Sequence, residues 1–243
     1  MSDQRKYLAF DIEIAQQVEG NDWLQFRPLG ITCAATLLQD SDWGSEAWFR
    51  SRHRMSARDL CDLVDYLLEK TSEGYTILTW NGLGFDFDIL AEESGRYEDC
   101  ANLALNHVDM MFDFFCSNGF ALGLNKAALG MGLEGKTEGM DGALAPDLWA
   151  RGERDKVLEY VRQDARTTLD VALAVEEEKA LYWTSSYGNL KTWYTDRWLT
   201  VQEAMALPFP DVSWMDNPWP RSKFYNWTTP IFRDNKLKPA AEG

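Results

Sequence analysis

Apolar and polar positions alternate strictly at the start of the chain. In KYLAFDIEI (residues 6–14), Leu8, Phe10, Ile12 and Ile14 share one face, and Tyr7, Ala9, Asp11 and Glu13 share the other, which predicts a strand. LGITCAATLL (29–38) is almost continuously apolar or small, as a strand covered on both faces is. SEAWFR (45–50), after the turn signal Asp42-Trp43-Gly44, predicts a third strand, and three strands in close succession predict an antiparallel start. From Ser56 the period lengthens. Ser56 is placed to cap a helix, with Asp59 three residues on, and Leu60, Leu63, Val64, Leu67 and Leu68 follow at helical spacing. Gly74 ends that helix, and YTILTW (75–80) reads as a buried strand. Strand, helix, strand predicts an α/β chain with a mixed sheet.

Beyond residue 80 the pattern predicts a helix from Asp86 to about residue 96 and a short one over 121–131. A single long helix is predicted from Glu153 to about Tyr182, striped by Val157, Tyr160, Val161, Asp164, Thr168 and Val171. HVDMMFDFF (107–115) fits strand and helix equally. The composition then shifts. Six of the eleven tryptophans and six of the eight prolines lie after residue 182. So aromatic a tail is expected to pack as an extension rather than to remain a disordered linker.

The chain has 243 residues, 45% of them hydrophobic, which suits one globular domain with an elaboration. It carries 39 acidic and 24 basic residues, a net charge of −15. That excludes a protein that grips nucleic acid through a broad basic surface, but not an enzyme that meets it locally through metal ions. No apolar run reaches the ~20 residues that cross a bilayer. Four dispersed cysteines and two histidines make a zinc site unsuitable and point to reduced thiols in a cytoplasmic chain.

Carboxylates stand at three costly places. Asp11 and Glu13 are two apart in an apolar strand, so both point to one face, roughly 7 Å apart along it. Buried side by side, they repel, and a divalent cation removes that penalty. Asp86 follows the fourth strand in WNGLGFDFDIL (80–90), where a helix begins. Tyr160 and Asp164, in YVRQDARTT (160–168), share a helix face. Each alone has an ordinary reading: a chance pair, a helix cap, a packed aromatic beside a solvated charge. Asp109 and Asp113 fit structural hydrogen bonding. The cluster Arg50, Arg52, His53 and Arg54 reads as a solvated loop.

In this order and spacing the three segments resemble the DEDD superfamily of 3′–5′ exonucleases. YLAFDIEIA matches its D-x-E motif at Asp11 and Glu13. WNGLGFDFDIL matches N-x-x-x-F-D at Asn81, Phe85 and Asp86. YVRQDARTTLDVA matches Y-x-x-x-D at Tyr160 and Asp164. The position where the sister branch has histidine is Glu159, so the resemblance is to the DEDDy branch, near the exonuclease domains of family B DNA polymerases and their stand-alone relatives. The stretch 129–142 is also similar to a Leu-Gly-Leu-x-Gly-Lys segment of those relatives, at Lys136. The resemblance covers roughly residues 5–180 and implies a ribonuclease H-like fold, a mixed five-stranded sheet flanked by helices. Residues 1–184 would form the exonuclease domain, and 185–243 the Trp-rich extension packed on it.

The resemblance implies an enzyme that removes nucleoside 5′-monophosphates from single-stranded nucleic acid, DNA favoured over RNA. Asp11, Glu13, Asp86 and Asp164 would hold two Mg²⁺ or Mn²⁺ ions, hard cations suited to oxygen ligands. Asp11 would bridge both, Glu13 and Asp164 would complete one site, and Asp86 would support the other. Tyr160 would orient the attacking water, since a phenol of pKa near ~10 is a poor base at neutral pH. Asn81, Phe85 and Lys136 are the candidate substrate contacts, with a core role for Phe85 and a solvated loop for Lys136 as their plainer readings. WMDNPWPRSKFYNW (214–227), mixing Arg221 and Lys223 with aromatics, is the first candidate contact outside the site. Two rival functions remain: a nuclease-like binding or scaffold module without catalysis, and a hydrolase of small phosphodiesters. Protein partners and oligomeric state are not written in the sequence, and no membrane association is expected.

Overall fold

The computed structural model describes residues 5–20, 22–40, 44–50, 53–135 and 142–229. Five strands form one mixed sheet in the order β3-β2-β1-β4-β5. The central strand β1 (Lys6–Ile14) pairs antiparallel with β2 (Ile31–Leu38), which pairs antiparallel with β3 (Glu46–Phe49). On its other side β1 runs parallel to β4 (Tyr75–Thr79), and β4 parallel to β5 (Val108–Asp109).

The alternation along β1 divides the core in two. Leu8, Phe10, Ile12 and Ile14 join the cluster under α1 (Ala57–Ser72), α2 (Asp86–Ser94) and α3 (Tyr97–Asn106). Tyr7 and Ala9, with Cys33, Ala35 and Leu37 of β2, join the cluster under α7 (Arg154–Glu178). The side chains on that second face are small at Ala9, Cys33 and Ala35, so α7 lies close against β1 and β2. Its Val157, Val161, Ala165 and Val171 are fully buried there. α1 starts as its sequence predicts. Ser56 and Asp59 form a reciprocal capping box, with Ser56 N donating to Asp59 Oδ2 at 2.9 Å and Asp59 N to Ser56 Oγ at 3.3 Å.

Three segments go beyond or against the sequence pattern. The ambiguous segment at 107–115 divides: β5 takes two residues, and α4 (Met110–Asn118) follows, capped by the Asp109 side chain. The helix α3 is present where the pattern gives no signal, because it buries only a narrow stripe of Cys100, Leu103 and Ala104. The long helix ends at Glu178 rather than near residue 182. Lys179 takes a left-handed φ of 55° there, and Ala180 opens β6 (Ala180–Thr184), which pairs antiparallel with β7 (Leu190–Tyr194). This hairpin packs on α5 (Leu124–Gly130). A Cβ on Gly130 would lie 1.9 Å from the Tyr182 carbonyl oxygen, so only glycine fits at the contact.

The tryptophan-rich region forms aromatic clusters. Trp183 and Trp198 belong to the core beneath α7, with Trp193 packed against it. Phe224 and Trp227 belong to the opposite core. Arg221 is a clamp: buried, it donates to the carbonyl oxygens of Cys116 (2.8 Å), Leu207 (2.6 Å) and Pro208 (2.7 Å). That occupation removes it from the candidate substrate contacts.

Candidate active site

Three elements bring the carboxylates together. β1 supplies Asp11 and Glu13 on the face that α7 covers, opposite Ala35 and Cys33 of β2. The register slips between Glu13 and Ile14, and such an irregularity re-aims side chains at the end of a strand. Asp86 is the first residue of α2, where an anion is favoured by the exposed N–H groups of the helix start. Its Oδ1 accepts from Ile12 N at 3.0 Å, so α2 is tied to β1 between the two acidic positions. Tyr160 and Asp164, one turn apart on α7, come down from above.

All five side chains line one cleft of about 320 Å³, together with Asn81, Phe85, Trp23 and Trp80. Gly142, Ala143 and Pro146, the last in α6 (Ala145–Ala150), also line it. Glu13, Asp86, Tyr160 and Asp164 are buried and Asp11 is half-buried, so Asp11 is the most accessible of the acids.

The loop between β4 and α2 is held by a residue the sequence placed only as structural. Asp109 Oδ1 accepts from Asn81 N (3.0 Å) and Phe112 N (3.0 Å), and Oδ2 accepts from Leu83 N (2.9 Å). Asn81 consequently keeps a left-handed φ of 74°, a conformation that asparagine tolerates better than most residues. Thr79 Oγ1 accepts from Gly82 N at 3.1 Å and meets His107 Nε2 at 2.9 Å. Burial holds that imidazole neutral, with its pKa lowered to about 3. Asp113 Oδ2 accepts from Leu199 N at 2.9 Å, just ahead of α8 (Val201–Met205), also a structural bond.

Phe85 is half-buried on the cleft wall, edge-on to Trp23 with ring centroids 5.4 Å apart, so it serves packing and cleft at once. Lys136 and Arg52 lie outside the described residues.

The electrostatics are those of concentrated negative charge. Burial first, then Asp109 and Asp164, push the Asp86 carboxyl up to about 7 against the bond from Ile12. Burial, then Asp164, Glu13 and Asp11, push the Tyr160 phenol far above its usual value, so it stays protonated. Among the described residues, no basic side chain lines the cleft, and no group of three or more His, Cys, Asp or Glu side chains meets the geometry of a metal site. The donor set nevertheless fits a hard divalent cation: four carboxylates, repelling one another, with neutral or apolar neighbours.

Three buried carboxyls have raised pKa values: Asp86 and Asp113 at about 7 and Asp109 at about 6. Above about pH 4 the unfolded chain has lost these protons, while the folded chain keeps them until pH nears 6 for Asp109 and 7 for Asp86 and Asp113. Their contribution to stability is therefore present at low pH and lost as pH rises through the folded values. The metal-free protein is expected to lose on the order of 5 kcal/mol between pH 5 and pH 8, since a tenfold difference in proton affinity between folded and unfolded chain is worth ~1.4 kcal/mol. Mn²⁺ is expected to raise the melting temperature more at pH 8 than at pH 5. Thermal melts in chelator and in Mn²⁺ check both; a flat chelator profile would reject the assignment of these carboxyls.

No curated protein matches the sequence. Among solved structures, the chain is similar to the family B DNA polymerase from the hyperthermophilic archaeon Pyrobaculum calidifontis, at 21% identity and a TM-score of 0.53. The alignment covers 71% of this chain and 24% of the polymerase, so this chain spans about a quarter of that protein. The model of the RNase_H superfamily matches residues 45–175, a segment that holds Asn81, Phe85, Asp86, Tyr160 and Asp164, with Asp11 and Glu13 ahead of it. That match spans more than half of the sequence, and with the mixed five-stranded sheet it shows that this chain belongs to the RNase_H superfamily.

Proposed function

We propose that the protein is a metal-dependent 3′–5′ exonuclease of the DEDDy type. It removes nucleoside 5′-monophosphates from single-stranded nucleic acid, DNA in preference to RNA. The observation that carries this reading is the convergence of Asp11, Glu13, Asp86 and Asp164, from three separate elements, with Tyr160 on one cleft. A binding module has no use for four carboxylates held against mutual repulsion. In this reading residues 1–184 are the nuclease domain and 185–243 its extension. The four free cysteines suit a reducing cytoplasm, and among the described residues no helix is long and apolar enough to cross a membrane.

The four carboxylates would hold two Mg²⁺ or Mn²⁺ ions. Bound there, such ions lower the pKa of water and neutralise charge on a phosphodiester. The chain's own residues do the rest. Asp11, the most accessible acid, faces the incoming phosphate, while Glu13, Asp86 and Asp164 set the walls. Tyr160 keeps its proton and donates a hydrogen bond from the phenol, which orients an attacking water without removing its proton. Asn81, fixed by Asp109, turns its side chain to the terminal nucleotide, and Phe85 with Trp23 offers aromatic surface beside it.

Tyr160→Phe is expected to cost about tenfold in kcat, the scale of a lost orienting hydrogen bond, and so less than the loss of any one carboxylate. Steady-state rates in Mn²⁺ check it; a loss equal to that of Asp164→Ala would assign the phenol a larger part. The function itself is tested with 5′-labelled single-stranded DNA and RNA in Mn²⁺, in Mg²⁺ and in chelator. A metal-dependent ladder shortening from the 3′ end supports it, and the two sugars rank themselves. Cleavage of small phosphodiesters alone, or of nothing, rejects it.

A further inference from the structure

A second cavity, of about 510 Å³, adjoins the carboxylate cleft and shares Trp23 and Asn81 with it. Its other wall comes from the C-terminal extension: Trp219, Lys223, Phe224 and Trp227. The extension is fixed at this place. Trp227 Nε1 donates to the Leu83 carbonyl oxygen at 2.7 Å, in the loop that carries Asn81 and leads to Asp86. Phe224 closes on Gly84, where a Cβ would come within 3.0 Å of its ring and 3.1 Å of Asn81 Oδ1. The short helix α9 (Ser222–Tyr225) presents Lys223, whose Nζ lies 3.3 Å from the centroid of the Trp219 ring. Trp219 is half exposed at the rim, with the Lys223 ammonium over one face of its ring.

Charge gives this corner its meaning. Lys223 is the one basic side chain among the described residues lining either cavity. Of the acids in the second cavity, Asp88 is taken up by Arg27 at 2.5 Å, and Asp22 Oδ2 accepts from Gln25 Nε2 at 2.8 Å. A chain of net charge −15 that admits a polyanion has here a cation beside an aromatic face, the pairing that holds a base and its phosphate. The cavity lies within the size range of small-ligand sites.

We infer that this cavity is a subsite for the nucleotide or nucleotides that precede the one removed, with a base stacked on Trp219 and a phosphate held by Lys223. The inference rests on the nuclease reading for its substrate class. It makes the extension a determinant of substrate length: oligonucleotides gain from the subsite, and a phosphodiester too short to reach it does not.

The test measures binding and cleavage separately. Binding of a 5′-fluorescein oligothymidylate is followed by anisotropy in Ca²⁺, for the wild type, Trp219→Ala, Lys223→Ala and Trp214→Ala. Trp214 is another exposed tryptophan, on a different cavity, and serves as the control. Trp219→Ala is expected to weaken binding about tenfold, the scale of one lost base–aromatic stack. Lys223→Ala is expected to lower the dependence of log Kd on log salt by about 0.7, one phosphate contact to a single strand. Rates on bis(p-nitrophenyl) phosphate should be unchanged in both. Unchanged oligonucleotide affinity in both variants, or equal weakening in Trp214→Ala, overturns the subsite. A wild type that binds in this Trp219-dependent way and cleaves nothing overturns the nuclease reading and leaves the subsite standing.

Discussion

Asp11→Ala is expected to lower metal-dependent cleavage on the order of 10⁴-fold, the scale seen when one member of a catalytic unit is removed. Asp11 is the acid most open to the cleft, which it shares with Glu13 of its own strand and with Tyr160 and Asp164 of α7. The fold should not suffer. Asp11 sits among like charges, so in chelator the variant should melt no lower than the wild type, because removing one anion relieves repulsion. Rates and melts together check this. Retained cleavage would remove Asp11 from the site, and a collapsed melting temperature would make it structural.

The second large effect is on stability. Asp109→Ala is expected to cost about 3 kcal/mol in urea denaturation. It strands three backbone N–H groups, those of Asn81, Leu83 and Phe112, and a buried unmet donor costs about 1–3 kcal/mol. The sum is reduced because the variant no longer buries a carboxyl whose pKa burial has pushed up to about 6. Activity should fall as well, since Asn81 loses the bond that holds its left-handed turn and the loop leads directly to Asp86. Asp109 thus acts as a positioning residue. A loss below about 1 kcal/mol would mean that the loop is held by other contacts, such as Trp227 on Leu83.

The sequence was most legible where one physical rule decides the outcome. The period of two in β1 put Asp11 and Glu13 on one face, and that face is the cleft. The i, i+4 spacing put Tyr160 and Asp164 on one side of α7, pointing to the same place. Ser56 with Asp59 gave the start of α1 through a local hydrogen-bond pair. The misses share a cause as well. α7 stops at Lys179, which adopts a left-handed φ without being glycine, so the usual stop signal is missing while the apolar pattern runs on into β6. The segment at 107–115 changes from strand to helix at Asp109, whose own side chain makes the cap. Its further bonds to Asn81 and Leu83 reach across 26 residues or more, and local spacing carries no sign of them. Arg221 read as part of a candidate contact because its carbonyl partners, Met205, Leu207, Pro208 and Cys116, lie 13 to 105 residues away, beyond the reach of local spacing. The second cavity was hidden for the same reason: Trp219 and Lys223 reach Asn81 only through the folded extension.

The carboxylate centre is tested most directly by titration calorimetry of Mn²⁺ into the wild type and Asp11→Ala at pH 8. Two ions per wild-type chain are expected, with marked weakening of their uptake in the variant, since one of the four carboxylates that would hold them is gone. No uptake by the wild type, or equal uptake by the variant, would contradict a shared carboxylate centre.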